Sequence, residues 1–211
     1  MHGRFNDEEL RRFGVAAAIV SGLPITIDET GAVSIAQLAA RARRLKRKQA
    51  IGLLIVDYLQ LMVGTSRRGD SRVQEVTEIT TGLKALAKEL RVPVLALSQL
   101  SRKVEDRQDK RPQLADLRES GSIEQDADVV LFVFREEHYH EHQRPDPASR
   151  EWDDWSAKMA SVKGRADVII GKRRHRANGS LQLHYDGPCM RFSNLALSGQ
   201  SGGAITEGMA A

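Results

Sequence analysis

The chain has 211 residues and a mass of 23.4 kDa, enough for one domain or one and a half. With 41% hydrophobic and 28% charged residues it has a globular composition, and 32 Lys and Arg against 28 Asp and Glu leave +4, which permits a polyanionic partner without demanding one. A single cysteine, Cys189, excludes an internal disulfide, no apolar run approaches the ~20 residues of a membrane span, and Asp7, Glu8 and Glu9 break any signal-peptide pattern, so the cytoplasm is the expected compartment.

Asn6 begins a helical pattern that runs to Val20, with Glu9 three residues on completing a capping box. A short extended piece, Pro24–Ile27, is followed by a turn at residues 28–31. Ser34 then caps a helix through Gln49, whose apolar side (Ile35, Leu38, Ala39, Ala42, Leu45) opposes a dense row of Arg and Lys. That row reads either as the solvated face of a scaffold helix or as a nucleic-acid surface, and the scaffold reading is favoured. The continuous apolar run Ile51–Val56 predicts a strand covered on both faces, as in parallel sheets.

Residues 71–90 give the clearest helix, with Val73, Val76, Ile79, Leu83, Leu86 and Leu90 at three- and four-residue spacing. Pro93 marks its end. Val94–Leu97 and Val129–Phe134 are further apolar strands, and Val168–Ile170 with Leu181–Tyr185 read as a hairpin. Between the third strand and this hairpin, residues 135–164 are polar and give no secure element. The run Glu136 to His142 alternates His138, His140 and His142, which on a strand would share a face and could hold a metal; a surface loop is the favoured reading. The stretch around 136–164, with Trp152 and Trp155, is expected to be a surface insertion containing a short helix. Residues 1–197 are expected to form one partial domain, and 198–211 a flexible tail rich in Gly, Ser and Ala.

Three groups of residues carry chemistry. Asp57 ends the first apolar strand, where open α/β sheets bind ligands and nucleotide hydrolases place the carboxylate that holds Mg²⁺; a plain strand-end turn is the other reading. Ser98 and Gln99 end the second strand and would lie beside Asp57 if the strands are neighbours, as a phosphate sensor or simply a loop amide. Asp116 to Asp128 surrounds a Ser-Gly-Ser turn with charge just before the third strand, a phosphate-contacting loop or a solvated one.

Taken in order, Asp57-Tyr58-Leu59-Gln60-Leu61-Met62, residues 83–90, Ala96 to Arg102, Arg107 to Pro112, Asp116 to Asp128, and the closing Gly171-Lys172-Arg173-Arg174 resemble the C-terminal motor domain of the bacterial replicative DNA helicases of the DnaB family. The resemblance spans about residues 3–195. It implies an α/β, RecA-like P-loop NTPase core with a mostly parallel sheet and a C-terminal β-hairpin, and ATP-driven translocation along single-stranded DNA by a homo-hexamer, with duplex unwinding at the replication fork. Primase and a helicase loader are the partners it implies. Asp57 corresponds to the carboxylate that holds Mg²⁺ through water, and Gln99 to the sensor. Lys172 and Arg174 correspond to the cations inserted into the neighbouring subunit's site, where an arginine stabilises γ-phosphate charge. Arg118, Glu119 and Gly121 correspond to the DNA loop. Arg102, Lys103 and Arg107 lie in a segment matching one that faces the central channel, where contact would be to DNA phosphates; a mixed-charge solvated loop is the other reading.

These residues contain no G-x-x-x-x-G-K-[ST] string, so the phosphate-binding loop and the strand before it, the first of the sheet, are missing from the pattern. The expectation is a motor fragment that, by itself, binds neither ATP nor Mg²⁺ appreciably and does not turn over. The lost strand should leave either an uncovered apolar edge or a direct pairing of the second and third strands. A non-enzymatic remnant that binds single-stranded DNA or helicase subunits, and a RecA-type recombination ATPase, are the alternatives.

Overall fold

The computed structural model describes residues 6–64, 71–117, 121–174 and 178–195. Residues 1–31 and 32–211 form two separate units. The first carries α1 (Asp7–Ser21), started by the capping box foreseen between Asn6 and Glu9. Residues 24–27 form no strand, and Ile25 and Ile27 are exposed. The turn that follows is held by the Asp28 carboxylate, which accepts from the backbone and hydroxyl of Thr30.

The second unit begins with α2 (Ile35–Lys48), capped by Ser34 and Gln37, then β1 (Leu54–Val56), α3 (Arg72–Leu90) and β2 (Val94–Ala96). Strands β1 and β2 pair in parallel, Leu54 opposite Val94 and Val56 opposite Ala96. The connection between them runs through α3, as a parallel crossover requires. Val56, Leu59, Met62, Val76, Ile79 and Leu83 form the core where α3 covers the sheet, and Ala39, Ala42 and Leu86 seal α2 onto α3. Small residues on α2 allow this close approach, and Gly82 of α3 faces Ile35 so tightly that an added Cβ would stand 2.4 Å from it. The basic side of α2 faces away from this packing, except that Arg43 grips Glu89 of α3 through two bonds of 2.6 and 2.8 Å.

After the second strand come two 3-10 turns (Arg102–Asp106 and Leu114–Asp116) and α4 (Gly121–Asp126), whose Ile123 joins the first core. Next is an antiparallel sheet of β3 (Val129–Phe134), β4 (Arg165–Arg173), β5 (Gly179–Asp186) and β6 (Arg191–Asn194), in that spatial order. The expected hairpin is β4–β5, longer at both ends than the apolar runs alone suggested. Among the strands of the described residues β1 and β2 pair in parallel and the other three pairs are antiparallel, with one further parallel bridge between Ser34 and Val63.

Two expectations change. The strands are not covered on both faces: Leu53, Ile55, Leu95, Leu97, Val129, Leu131 and Val133 are 43–58% exposed, while Val56, Val130, Phe132 and Phe134 are buried. Buried and exposed apolar side chains alternate along β3, so one of its faces meets solvent. Among the described residues no strand pairs with the free edges of β2 and β3, the uncovered-edge outcome of the two foreseen. Second, the histidine run is not in a loop but in α5 (Glu136–Glu141), while the short helix expected in the insertion is α6 (Trp152–Val162). The Trp155 indole N–H donates to the His140 carbonyl at 3.0 Å, His140 Nε2 meets the Trp155 carbonyl at 2.9 Å, and the two rings stack. His140 therefore faces Trp155 while His138 and His142 contact each other, and no metal-holding group of His, Cys, Asp and Glu occurs among the described residues.

Candidate functional site

Asp57 and Gln99 follow the carboxyl ends of neighbouring strands, β1 and β2. The Leu97 N–H donates to the Val56 carbonyl and the Leu59 N–H donates to the Leu97 carbonyl, each at 2.9 Å, extending the β1–β2 pairing past both strand ends. Asp57 follows β1 directly, is exposed, and is joined to Tyr58 by a cis peptide. Gln99 is exposed too. A residue not singled out from sequence fixes the segment that carries Gln99. The Gln60 side chain accepts from the Gln99 N–H at 3.2 Å and donates to the Ser98 hydroxyl at 3.0 Å and the Gln99 carbonyl at 3.5 Å. Its own carbonyl accepts from Arg72 at the start of α3, and Arg72 is paired with Glu75. Glu75 also accepts from the Gly64 N–H at 2.8 Å, which is the main cause of its lowered pKa, followed by Arg72. The Gln in Asp57-Tyr58-Leu59-Gln60 was visible in the sequence; what it reaches was not, since Ser98 and Gln99 lie 38 and 39 residues away.

Lys172 and Arg174 form a second cluster. Lys172 lies on β4 opposite Val130, and its ammonium bonds to the Glu124 and Gln125 carbonyls at the end of α4. Arg174 pairs with Asp128 at 3.2 Å, and Lys84 of α3 pairs with the same carboxylate. The hydrogen bond from Lys84, then the charges of Lys84, Arg174 and Lys172, hold the Asp128 carboxyl below its ordinary value of 3.8. Thr80 and Thr81 donate to Asp126 at 2.7 and 3.2 Å, so the α4–β3 junction is tied to α3 at both of its aspartates. Lys84 stands about 18 Å of helix rise beyond Arg72. The structure therefore sets Asp57 and Gln99 just past the ends of paired strands, and Lys172 and Arg174 around the α4–β3 junction, with α3 reaching both places.

The residues expected to face DNA divide. Arg102 and Lys103 are exposed on the first 3-10 turn. Arg107 faces inward: its guanidinium donates to both oxygens of buried Asp116, at 3.2 and 2.9 Å, and to the Arg111 carbonyl at 2.7 Å. Asp116 also accepts from the Gln113 N–H at 2.8 Å. Arg111 in turn pairs with Asp167 of β4 at 2.6 Å, so this basic stretch spends two of its arginines on internal carboxylates. Gly121 opens α4 with free space around it, while Arg118 and Glu119 lie outside the described residues.

As a place for a magnesium nucleotide, this arrangement offers one exposed carboxylate and one exposed amide at the carboxyl ends of parallel strands. It fits the metal-facing edge of such a site. It does not fit the phosphate grip, for which no glycine-rich loop followed by Lys and Ser or Thr occurs in these residues.

A family model described as the DnaB-like helicase C terminal domain matches residues 1–194. The replicative DNA helicase DnaB of Rickettsia bellii is 50% identical over 197 residues, covering 92% of this chain and 39% of that protein. The DnaB of Geobacillus stearothermophilus is 42% identical over 193 residues, with the same shares. Among solved structures, a DnaB-like replicative helicase described with its interactions with primase superposes with a TM-score of 0.76 at 36% identity, covering 90% of this chain and 43% of the other. A second solved structure, described as an ATPase domain, gives the same TM-score and identity and is covered over 62% of its length. The chain thus spans about 39% of the length of the curated relatives it matches.

Proposed function

The chain belongs to the DnaB-like helicase C-terminal domain family, and on that footing we propose that it supplies part of the motor of a replicative DNA helicase, which moves along single-stranded DNA and separates the duplex at the fork. The fold is the RecA-like α/β layer of that family. The observation that carries the reading is the separation of the two clusters. Asp57 and Gln99 follow the carboxyl ends of β1 and β2, whereas Lys172 and Arg174 gather at the α4–β3 junction. An active site shared between subunits of a ring needs that division, with metal-facing groups at one place on each subunit and charge-neutralising groups at another.

In this reading Asp57 would hold Mg²⁺ through water, and the ion supplies charge neutralisation when bound. Gln99 senses the nucleotide, with its backbone fixed by Gln60. Lys172 and Arg174 face the nucleotide of a neighbouring subunit, where a planar guanidinium suits phosphate oxygens. Arg102, Lys103 and the segment Arg118 to Gly121 meet the DNA backbone; Arg107, occupied by Asp116, contributes by tying residues 107–116 together. Partnership with primase is proposed on the likeness to a helicase described with primase, and a hexameric ring and a loader follow from the same reading. A second reading, a part that binds single-stranded DNA or helicase subunits without turnover, is favoured by the bare apolar strand faces.

The two readings separate in a chimera. The upstream part of the Rickettsia bellii relative, joined to this chain at the matched boundary, is expected to hydrolyse ATP with stimulation by single-stranded DNA, and to lose turnover on Asp57→Ala or Arg174→Ala. The chain by itself is expected to give background hydrolysis but salt-sensitive DNA binding. A chimera that assembles and hydrolyses ATP equally well with Asp57→Ala overturns the motor reading.

A further inference from the structure

Both cations of the second cluster are already engaged within their own chain. Asp128, two residues past the end of α4, receives Lys84 on one carboxylate oxygen and Arg174 on the other, and its carbonyl accepts the Arg174 backbone N–H at 3.1 Å. Lys172 bonds to the last carbonyls of α4, the end of a helix at which positive charge is favoured. A carboxylate offers a guanidinium the same pair of oxygens as a phosphate group does, so Asp128 and a phosphate compete for one partner. The competition is close to even. The Arg174 and Asp128 side chains are 50% and 57% exposed, and a pair so open to solvent is weak. Lys84, at 23%, is far less exposed, so the carboxylate keeps a partner when Arg174 leaves.

We propose that Asp128 is a positioning residue that parks Arg174 within its own subunit and yields it to a phosphate group presented by a neighbour. The inference rests on the trans role given to Arg174 above. The charged groups facing Asp128 are Lys84 from α3 and Lys172 and Arg174 from the β4 end, and together they keep the carboxylate ionised through the neutral range. Asp126, the nearby acid, is turned toward Thr80 and Thr81. Because α4 begins at Gly121, directly after residues 118–120, release of Lys172 and Arg174 also frees the far end of the helix that follows the DNA segment.

The hold is tested in this chain without nucleotide turnover. In protein labelled with ¹⁵N at arginine, the Arg174 Nε–H signal is expected to shift as the solution is acidified through a midpoint below 3.8, and the shift is expected to vanish in Asp128→Asn. Titrated with inorganic tripolyphosphate at low salt, Asp128→Asn is expected to bind about two- to five-fold more tightly than the parent, the bias an exposed ion pair exerts. Arg174→Ala in the same background removes the gain, and Asp128→Glu, which keeps the charge, restores parental affinity. A purely structural role for Asp128 lowers melting temperature without moving phosphate affinity. An Arg174 signal indifferent to acid in the parent chain, or unchanged tripolyphosphate affinity in folded Asp128→Asn, overturns the proposal; if that variant does not fold, the parent titration decides. If the hold is present but the chimera keeps full turnover with Arg174→Ala, the trans role falls and the internal contact stands.

Discussion

Replacing Arg107 by alanine separates a DNA-contacting arginine from one that holds the fold. Its guanidinium makes two bonds to Asp116, which is 6% exposed, and one to the Arg111 carbonyl. Arg107→Ala leaves a buried carboxylate whose remaining partner is the Gln113 N–H. Losing one member of a fully buried pair costs about 3–5 kcal/mol. The Arg107 side chain is 31% exposed, so water reaches part of the pair, and the expected loss falls to about 2–3 kcal/mol. For a domain of this size that is a fall in melting temperature of about 4–12 °C. Calorimetry or urea unfolding reads it directly. The control is Arg102→Ala with Lys103→Ala, both exposed, which is expected to leave melting within about 2 °C. That pair should instead weaken binding to oligothymidine and flatten the salt dependence by about 0.7 per lost phosphate contact. If Arg107→Ala melts like the parent while losing DNA affinity and salt slope, the assignment of Arg107 to the interior is wrong.

Three further outcomes are expected. Gly82→Ala sets a helix-propensity gain of about 1 kcal/mol against a Cβ placed 2.4 Å from Ile35 Cγ1, where crowding costs about 1–3 kcal/mol; the net change in chemical unfolding should be neutral to destabilising, and a more stable variant contradicts the packing of α2 on α3. Asp128 and Glu75 both have lowered pKa values in the fold, so their contribution is complete above the unfolded values and is lost as pH falls through the folded ones; stability should be flat near neutrality and decline below about pH 4, with the decline reduced in Asp128→Asn. The bare strand faces should bind the dye ANS and favour self-association, and Ile55→Lys with Val133→Lys, at positions 57% and 58% exposed, should reduce both without loss of helical signal; undiminished dye binding places the apolar surface elsewhere.

The sequence read well where a signal was local. Capping residues Asn6 and Ser34, the apolar spacing of α3, and the strand endings at Asp57 and Gln99 depend on neighbours a few positions away, and each lies in the structure where the pattern put it. Burial read less well, because a run such as Leu53 to Val56 states that a strand is apolar and not how many of its faces are covered. Val73 fits the spacing of α3 yet is 47% exposed, at the first turn of the helix. Long-range polar contacts were the least legible. Nothing in the string Arg107 to Asp116 distinguishes a guanidinium aimed at a nucleic acid from one aimed at a carboxylate nine residues on. Gln60 and Asp128 stood inside quoted motifs, but their partners come from other elements. The histidine run, read as a surface loop, instead forms a helix that turns His140 toward Trp155, a partner 15 residues on.

Helix α3 touches both clusters, through Arg72 at its first turn and through Lys84 farther along. Its 19 residues make a rod about 28 Å long, stiff compared with the loops around it. A tilt of about 5° pivoting at Arg72 would swing Lys84 sideways by about 1.5 Å, more than a short ammonium–carboxylate bond tolerates. A displacement too small to notice at Gln99 thus becomes a broken contact at Asp128, and the lever works equally in reverse.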